Sequence, residues 1–394
     1  MTSASARLLD GLLRERRVLV CCGSGGVGKT TTSAALALRA ALLGRRAVVC
    51  TIDPARRLAR SLGLSELGNE VVEIERERFR SAGLAPTGSL YALMLDTKRT
   101  FDALIERHAS SPEARDRILA NKFYQQMSTT VVGSSDYMAM EKLYELHETG
   151  DFDLIVLDTP PTKHALDFLQ APQRMTDAFD ESMLAVFLKP WAEAGKKSLG
   201  FLGRALNRVV QRVDEVLGLQ FVSDFADFMA AFEGMYAGFR ERAQRVDALL
   251  RERFTAFAVV TSPSPLALQE ASYFCDRLRE FSMPLEAVVV NRVHRSTLPD
   301  GPLRTDFQHR LREEGGERIL AAAFDEETPP LLRGLLEAFV DHELQAAGDQ
   351  LRVENLRAGA AKGVPVVEVP HLEKDVYDLS GLQRIARCLT EGET

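Results

Sequence analysis

Residues near the N-terminus have the types and the spacing of a phosphate-binding loop, G-x-x-x-x-G-K-[ST]. Glycines let the backbone curl so that successive N–H groups point at phosphate oxygens. Lys29 would neutralise charge on the β- and γ-phosphates, and the Thr30 hydroxyl can ligate Mg²⁺. The pattern therefore predicts a nucleoside triphosphate site formed by Gly23, Ser24, Gly25, Gly26, Val27, Gly28, Lys29, Thr30 and Thr31.

Such a loop must be positioned between a strand and a helix. Val18–Cys22 is an apolar run typical of a buried parallel strand. Thr31–Leu43 is rich in Ala and Leu and stops at Gly44, as a capped helix would. This context favours a ligand-binding loop over a glycine-rich turn without a ligand.

Two aspartates follow other strand-like runs. Asp53 comes after Ala47–Ile52, and Asp158 comes after Leu154–Leu157. Ligands of an open parallel sheet bind at the carboxyl ends of its strands. Asp158 is therefore a candidate to hold Mg²⁺ together with Thr30. Asp53 is a candidate to orient the attacking water, although an Asp that caps the next helix would give the same pattern.

The loop GSGGVGKT resembles the deviant phosphate loop G-K-G-G-x-G-K-T of a family of dimeric ATPases. That family includes arsenite-pump ATPases, tail-anchored-protein targeting factors, MinD/ParA-like positioning proteins and the nitrogenase iron protein. Residues 158–166, DTPPTKHAL, resemble the second switch D-T-A-P-T-G-H-T-L of the arsenite-pump and tail-anchor ATPases. Two positions depart from these patterns. Ser24 replaces a lysine that reaches the partner's phosphates, and Lys163 replaces a glycine.

The resemblance implies an ATP hydrolase that uses ATP and Mg²⁺. Lys29 and Asp53 would then be catalytic, and Thr30 and Asp158 would bind the metal. Two protomers would close over the nucleotide, as a homodimer or with a paralogous ATPase, and would rearrange helices that bind a hydrophobic protein or a membrane protein. The cation missing at Ser24 would be supplied by a lysine of the paralogue or by Lys163, or it would stay absent and leave a slow ATPase.

The resemblance also places the adenine. Asn291, after the strand-like run Leu285–Val290, matches an adenine-contacting Asn of the family, and Pro370 and Leu372 match its adenine-side loop. The segment reads NRVH, whereas guanine-reading GTPases have N-K-x-D. Because His294 cannot supply the carboxylate that pairs with guanine, ATP is preferred over GTP.

Alternating strand and helix patterns predict an α/β fold, with a mostly parallel P-loop sheet and helices on both faces. We expect a single domain over residues 1–394 with helical insertions at about 100–150 and 172–253. In the second insertion, aromatic residues from Phe221 to Phe239 recur at three- and four-residue steps. Such a stripe either packs in the core, which is the more common outcome, or lines a client groove.

Composition and charge argue against several kinds of partner and metal site. A net charge of −7 argues against a nucleic-acid partner held by phosphate contacts. No apolar run approaches the roughly 20 residues of a membrane span, so we expect a cytoplasmic protein. The five cysteines are dispersed and form no C-x-x-C pair, which argues against a zinc or iron–sulfur site and against arsenite binding. A slow positioning ATPase, an anion or arsenite efflux subunit and a non-hydrolysing binding module remain as alternatives.

Overall fold

A computed structural model of the chain describes residues 2–52, 57–130, 134–159, 219–232, 235–324 and 329–391. These residues contain one eight-stranded sheet. Its strands are β1 Val18–Cys22, β2 Arg46–Thr51, β3 Val72–Glu73, β4 Ser89–Met94, β5 Leu154–Asp158, β6 Thr255–Thr261, β7 Leu285–Val293 and β8 Val366–Pro370.

The strand order is β3-β4-β2-β5-β1-β6-β7-β8. All neighbouring strands are parallel except β3 and β4, which pair antiparallel. β1 lies in the middle of the sheet, between β5 and β6. The carboxyl ends of β2, β5, β1, β6 and β7 therefore meet along one edge, where the sequence patterns place the phosphate loop and Asp158.

Helices cover both faces of this sheet, and those that the sequence predicts between residues 100 and 150 are present. In chain order they are α1 Thr2–Glu15, α2 Lys29–Leu42, α3 Arg57–Ser61, α4 Arg76–Ser81, α5 Thr97–His108, α6 Pro112–Ala120, α7 Lys122–Thr130, α8 Ser134–Thr149, α9 Leu219–Phe232, α10 Tyr236–Arg251, α11 Pro265–Glu280, α12 Pro302–Glu314, α13 Gly316–Ala323, α14 Pro330–Ala358 and α15 Leu379–Thr390. Among the described helices, none combines the length and the apolar character needed to cross a bilayer. The α/β class and the mostly parallel sheet predicted from the sequence are confirmed.

Successive residues of β1 enter two different cores because side chains alternate across a strand. Val18 and Val20 pack with α5, α8, α10 and α11, whereas Leu19 and Cys21 pack with α1, α2 and α15. All five residues of β1 are buried. A strand that is covered on both faces reads as a continuous apolar run, which is why the sequence shows no alternation here.

The described part of the aromatic stripe belongs to the first of these cores. Phe228, Phe232, Met235 and Phe239 are 1–3% exposed. The Phe232 ring centroid lies 5.3 Å from that of Phe228 and 4.9 Å from that of Phe239. These residues therefore pack as core, the more common outcome for such a pattern. Residues 160–218, which include the rest of the second insertion, lie outside the described residues.

Candidate nucleotide site

Two glycines of the phosphate loop are required by their surroundings as well as by their backbone. Gly23 has φ +145°, and a Cβ there would lie 2.0 Å from the Val260 carbonyl oxygen. Gly28 has φ +96°, and its Cβ would lie 2.2 Å from Nδ2 of Asn291. Side chains rarely adopt these φ values and would clash with β6 and β7. The loop therefore packs closely against the two strands beside it.

Lys29 begins helix α2 and turns back over the loop. Its side chain is buried, and Nζ donates hydrogen bonds to the carbonyl oxygens of Gly23 at 2.9 Å and Ser24 at 2.8 Å. The ammonium is thus held beside the N-terminus of α2, whose unpaired N–H groups also favour an anion. Phosphate oxygens could take over the bonds that the two loop carbonyls accept.

Asp158, Thr30 and Thr51 form a buried cluster below the loop. Oδ2 of Asp158 accepts hydrogen bonds from the Thr30 hydroxyl at 2.6 Å and from the Thr51 hydroxyl at 2.7 Å. Asp158 is 1% exposed, and it pairs with Thr51 in the β2–β5 register. Motif spacing identified Thr30 and Asp158 but missed Thr51, whose place is set by strand pairing.

The hydroxyl of Thr30 and the carboxylate of Asp158 suit a bound Mg²⁺. Mg²⁺ prefers oxygen ligands, keeps several waters and is usually held by one or two carboxylates together with substrate phosphates. Here two such oxygens lie 2.6 Å apart, next to a loop built for phosphates. The donor set therefore fits the metal that the motif predicts.

A cavity of about 480 Å³ adjoins the loop. Gly26, Gly28, Lys29, Thr30 and Thr31 form its floor. The charged side chains that line the whole cavity comprise four cations and one carboxylate, which suits a ligand of several negative charges. These five residues are Lys29, Arg57, Arg60, Arg292 and Asp375. Of the five, the sequence motifs identified only Lys29.

The residues predicted to contact adenine lie near this cavity, in different settings. Asn291 is 8% exposed and donates Nδ2–H to the Val27 carbonyl oxygen at 2.9 Å. Pro370 ends β8, and Leu372 packs against the core that contains α2. In the segment that follows β8, the residues that line the cavity are Asp375–Tyr377. Contacts of Asn291, Pro370 and Leu372 with a base stay predictions.

Other predicted positions are not tested. Asp53 and Lys163 lie outside the described residues, as does the second switch beyond Thr159. Ser24 is 7% exposed, and its hydroxyl has no hydrogen-bond partner among the described residues. A short, uncharged hydroxyl at this position cannot supply the positive charge of the lysine that it replaces.

All five cysteines are buried. Burial raises the pKa of Cys21 and Cys50 to about 12 and that of Cys275 to about 11. The thiols of these three cysteines are therefore protonated near neutral pH. Because arsenite and soft metals bind the thiolate, these cysteines are poorly suited to either ligand.

Comparison with known proteins agrees with this geometry. The family model for anion-transporting ATPases of the ArsA type matches residues 16–312. ATPase GET3 of Malassezia globosa is 25% identical over 288 residues, covering 72% of this chain and 76% of that protein. ATPase GET3B of Arabidopsis thaliana is 26% identical over 300 residues, 71% of this chain and 64% of that protein. ATPase ARSA1 of Chlamydomonas reinhardtii is 25% identical over 355 residues, 84% of this chain and 41% of that protein. With a family match across residues 16–312, the chain belongs to the ArsA-type anion-transporting ATPases and is an ATPase.

Proposed function

We propose that the chain hydrolyses ATP with Mg²⁺ at the phosphate loop. The observation that carries this proposal is the contact of the Thr30 hydroxyl with Asp158, 2.6 Å long and buried below the loop. Lys29 and the loop N–H groups stabilise charge on the phosphates. The Thr30 hydroxyl and the Asp158 carboxylate would hold the metal. When bound, Mg²⁺ neutralises the charge that develops on the transferred phosphoryl group.

Asp53 is our proposed water-orienting residue. Its support is its place in the chain, since it follows Thr51 by two residues and the Thr51 hydroxyl lies 2.7 Å from Asp158. The carboxyl end of β2 therefore reaches the metal site. We expect Asp53→Asn to bind ATP normally and to lose turnover, because it affects mainly the chemical step. Turnover of this variant at the wild-type rate would remove Asp53 from the mechanism.

We also propose that ATP is the preferred nucleotide. Nδ1 of His294 lies 2.8 Å from Oδ2 of Asp349, so the ring is engaged with a carboxylate of α14. A histidine at this position does not offer the acceptor pair that reads guanine. Competition of unlabelled ATP and GTP against a fluorescent ATP analogue tests this, and equal displacement by both nucleotides would contradict it.

Finally, we propose that ATP favours a closed dimer that couples to a hydrophobic protein or membrane-protein client. Closure by a second protomer, identical or paralogous, would exclude water from the phosphates and strengthen their electrostatic stabilisation. Sedimentation of Asp53→Asn with ATP tests the dimer, and a monomer at high protein concentration would contradict it. Capture of partners from native cytosol, with ATP present and absent, tests the client. The cytoplasmic location stays a prediction from sequence.

A further inference from the structure

The carboxyl end of β7 contains an irregularity beside the nucleotide cavity. Val290 pairs with Glu368 of β8, but the next pair is Val293 with Pro370, so β7 has one extra residue here. Within it, Arg292 has φ +61°, a left-handed value that only one other non-glycine residue of the described chain shares. Bulges of this kind redirect a side chain next to active sites. A left-handed arginine persists only where its surroundings enforce it.

The side chain of Asn291 is what enforces it. Oδ1 of Asn291 accepts a hydrogen bond from the Arg292 N–H at 3.0 Å, and Nδ2 donates to the Val27 carbonyl oxygen at 2.9 Å. Asn291 is 8% exposed, and its amide fills the space that a Cβ on Gly28 would need. One buried amide therefore fixes both the backbone of Arg292 and the phosphate loop.

Arg292 itself is exposed and lines the cavity with Gly26, Lys29 and Thr30. Its guanidinium has no hydrogen-bond or ion-pair partner among the described residues. A guanidinium binds phosphate oxygens in a bidentate manner, with directional charge-assisted hydrogen bonds. The backbone strain thus keeps an available cation at the wall of a phosphate cavity, in a chain whose net charge is −7.

We propose that Arg292 is a phosphate-binding cation supplied in cis, and that Asn291 positions it together with the phosphate loop. This inference rests on the proposed nucleotide site and names a further residue of that site. It gives the protomer a cation of its own where Ser24 cannot supply one to a partner. It also gives Asn291 a role through Val27 and Arg292 that needs no contact with the base.

Calorimetric titration with Mg-ATP, and with Mg-tripolyphosphate as a ligand without a base, tests the role of Arg292. Arg292→Gly should bind both ligands roughly 10- to 100-fold more weakly, because a charge-assisted bidentate contact is lost. Arg292→Lys should fall between this variant and the wild type. Arg312→Ala is the matched control, since it removes one exposed positive charge from α12, away from the cavity, and should bind as the wild type does.

Thermal unfolding of the same variants separates binding from folding. Glycine adopts φ +61° without strain, so Arg292→Gly should melt at the wild-type temperature or above it. Weaker binding by an equally stable protein would then report the lost cation. Asn291→Ala removes the acceptor for the Arg292 N–H and the donor to Val27 without adding a charge beside the cavity, and it should also weaken tripolyphosphate binding.

The following results would overturn the proposal. Wild-type affinity of Arg292→Gly for tripolyphosphate would remove Arg292 from the phosphate site, and a loss confined to ATP would assign it to the base or ribose. Wild-type affinity of Asn291→Ala for tripolyphosphate would remove the positioning role. If the wild-type protein bound neither ligand, the proposed nucleotide site would fail, and this inference would fail with it.

Discussion

The carboxyl ends of the parallel strands form the edge of the sheet that borders the nucleotide cavity, and this edge is built differently at β2 and β5 than at β7 and β8. At the ends of β2 and β5, Thr51 and Asp158 are each 1% exposed, and Asp158 accepts hydrogen bonds from the hydroxyls of Thr51 and Thr30. At the ends of β7 and β8, Arg292 is exposed and Tyr377 is 65% exposed. Here the backbone, rather than burial, sets the direction of the Arg292 side chain.

The difference shows two ways to preorganise a site. The ends of β2 and β5, here called the metal end, are held in place by burial. An unpaired carboxylate would be costly there, and each hydroxyl therefore keeps its partner. At the β7 end, the bulge and the left-handed Arg292 place a solvated cation at the cavity wall. We expect substitutions at the metal end to change chemistry and those at the β7 end to change affinity.

Lys29→Ala should have the largest effect, since it removes a cation common to both the bound state and the transition state. We expect ATP affinity to fall by at least about 100-fold, and turnover to become undetectable. Calorimetry with ATP measures the first effect, and phosphate release measures the second. Circular dichroism should show an unchanged fold, and ATP affinity within a few-fold of wild type would contradict the assignment.

Asp158→Asn should separate chemistry from binding. The amide retains an oxygen for the hydroxyls of Thr30 and Thr51, but it no longer carries the charge that attracts Mg²⁺. We expect turnover to fall by roughly 10²- to 10³-fold, and the Mg²⁺ concentration for half-maximal activity to rise. Thr51→Val should lower turnover by only about tenfold, because it removes one hydrogen bond to Asp158. A larger loss for Thr51→Val would mean that Thr51 contacts the metal or substrate directly.

The two ends also differ in how far their residues could be predicted from the sequence. The loop residues and Asp158 are encoded locally, by glycine spacing and by an apolar run that ends in Asp. Thr51 is not, because its contact with Asp158 depends on the register of β2 with β5. The position of Arg292 is not encoded locally either, since positive φ values normally occur at Gly or Asn. The bulge that imposes a positive φ on Arg292 arises from the pairing of β7 with β8. β3 was missed because both of its residues are exposed and carry no hydrophobic pattern.

Gly28→Ala tests the contact between the two ends. Its Cβ would lie 2.2 Å from Nδ2 of Asn291 at φ +96°, so we expect a loss of about 2–4 kcal/mol in unfolding free energy and weaker ATP binding. Gly26→Ala is the matched control, since its φ is +78° but its Cβ would meet nothing within 4 Å. It should cost about 1–2 kcal/mol, from backbone strain alone.

A double variant sharpens this prediction. Asn291→Ala in the Gly28→Ala background removes the atom that clashes, so part of the lost stability should return. ATP affinity should stay low, because the loop has lost its bond from Nδ2 to Val27. Urea unfolding and calorimetry of Gly28→Ala, Gly26→Ala and the double variant, beside the wild type, measure both effects. Equal stability of Gly28→Ala and Gly26→Ala would show that the Asn291 contact adds nothing to backbone strain.

The smallest expected effect lies away from the cavity, where α14 meets the segment after β7. Glu343 is fully buried, and its carboxylate accepts hydrogen bonds from the Ser296 hydroxyl at 2.5 Å and from the Thr297 N–H at 2.7 Å. Burial alone would raise the pKa of Glu343, but these hydrogen bonds hold it below its ordinary value of 4.5. A lowered folded-state pKa means that the carboxylate stabilises the fold above pH 4.5, and that this contribution is lost as pH falls through the folded pKa.

Glu343→Gln should therefore reduce the unfolding free energy by about 1–2 kcal/mol at pH 7, since an amide is a weaker acceptor than a carboxylate. The difference from wild type should shrink as the pH falls below 4.5, and it should be lost below the folded-state pKa, where the wild-type side chain is neutral as well. Urea unfolding at pH 7 and pH 4 measures it. ATP affinity should not change, because Glu343 does not line the cavity among the described residues. A stability difference that is the same at both pH values would show that the charge of Glu343 contributes nothing, and that the hydrogen bonds hold α14 equally well with a neutral acceptor.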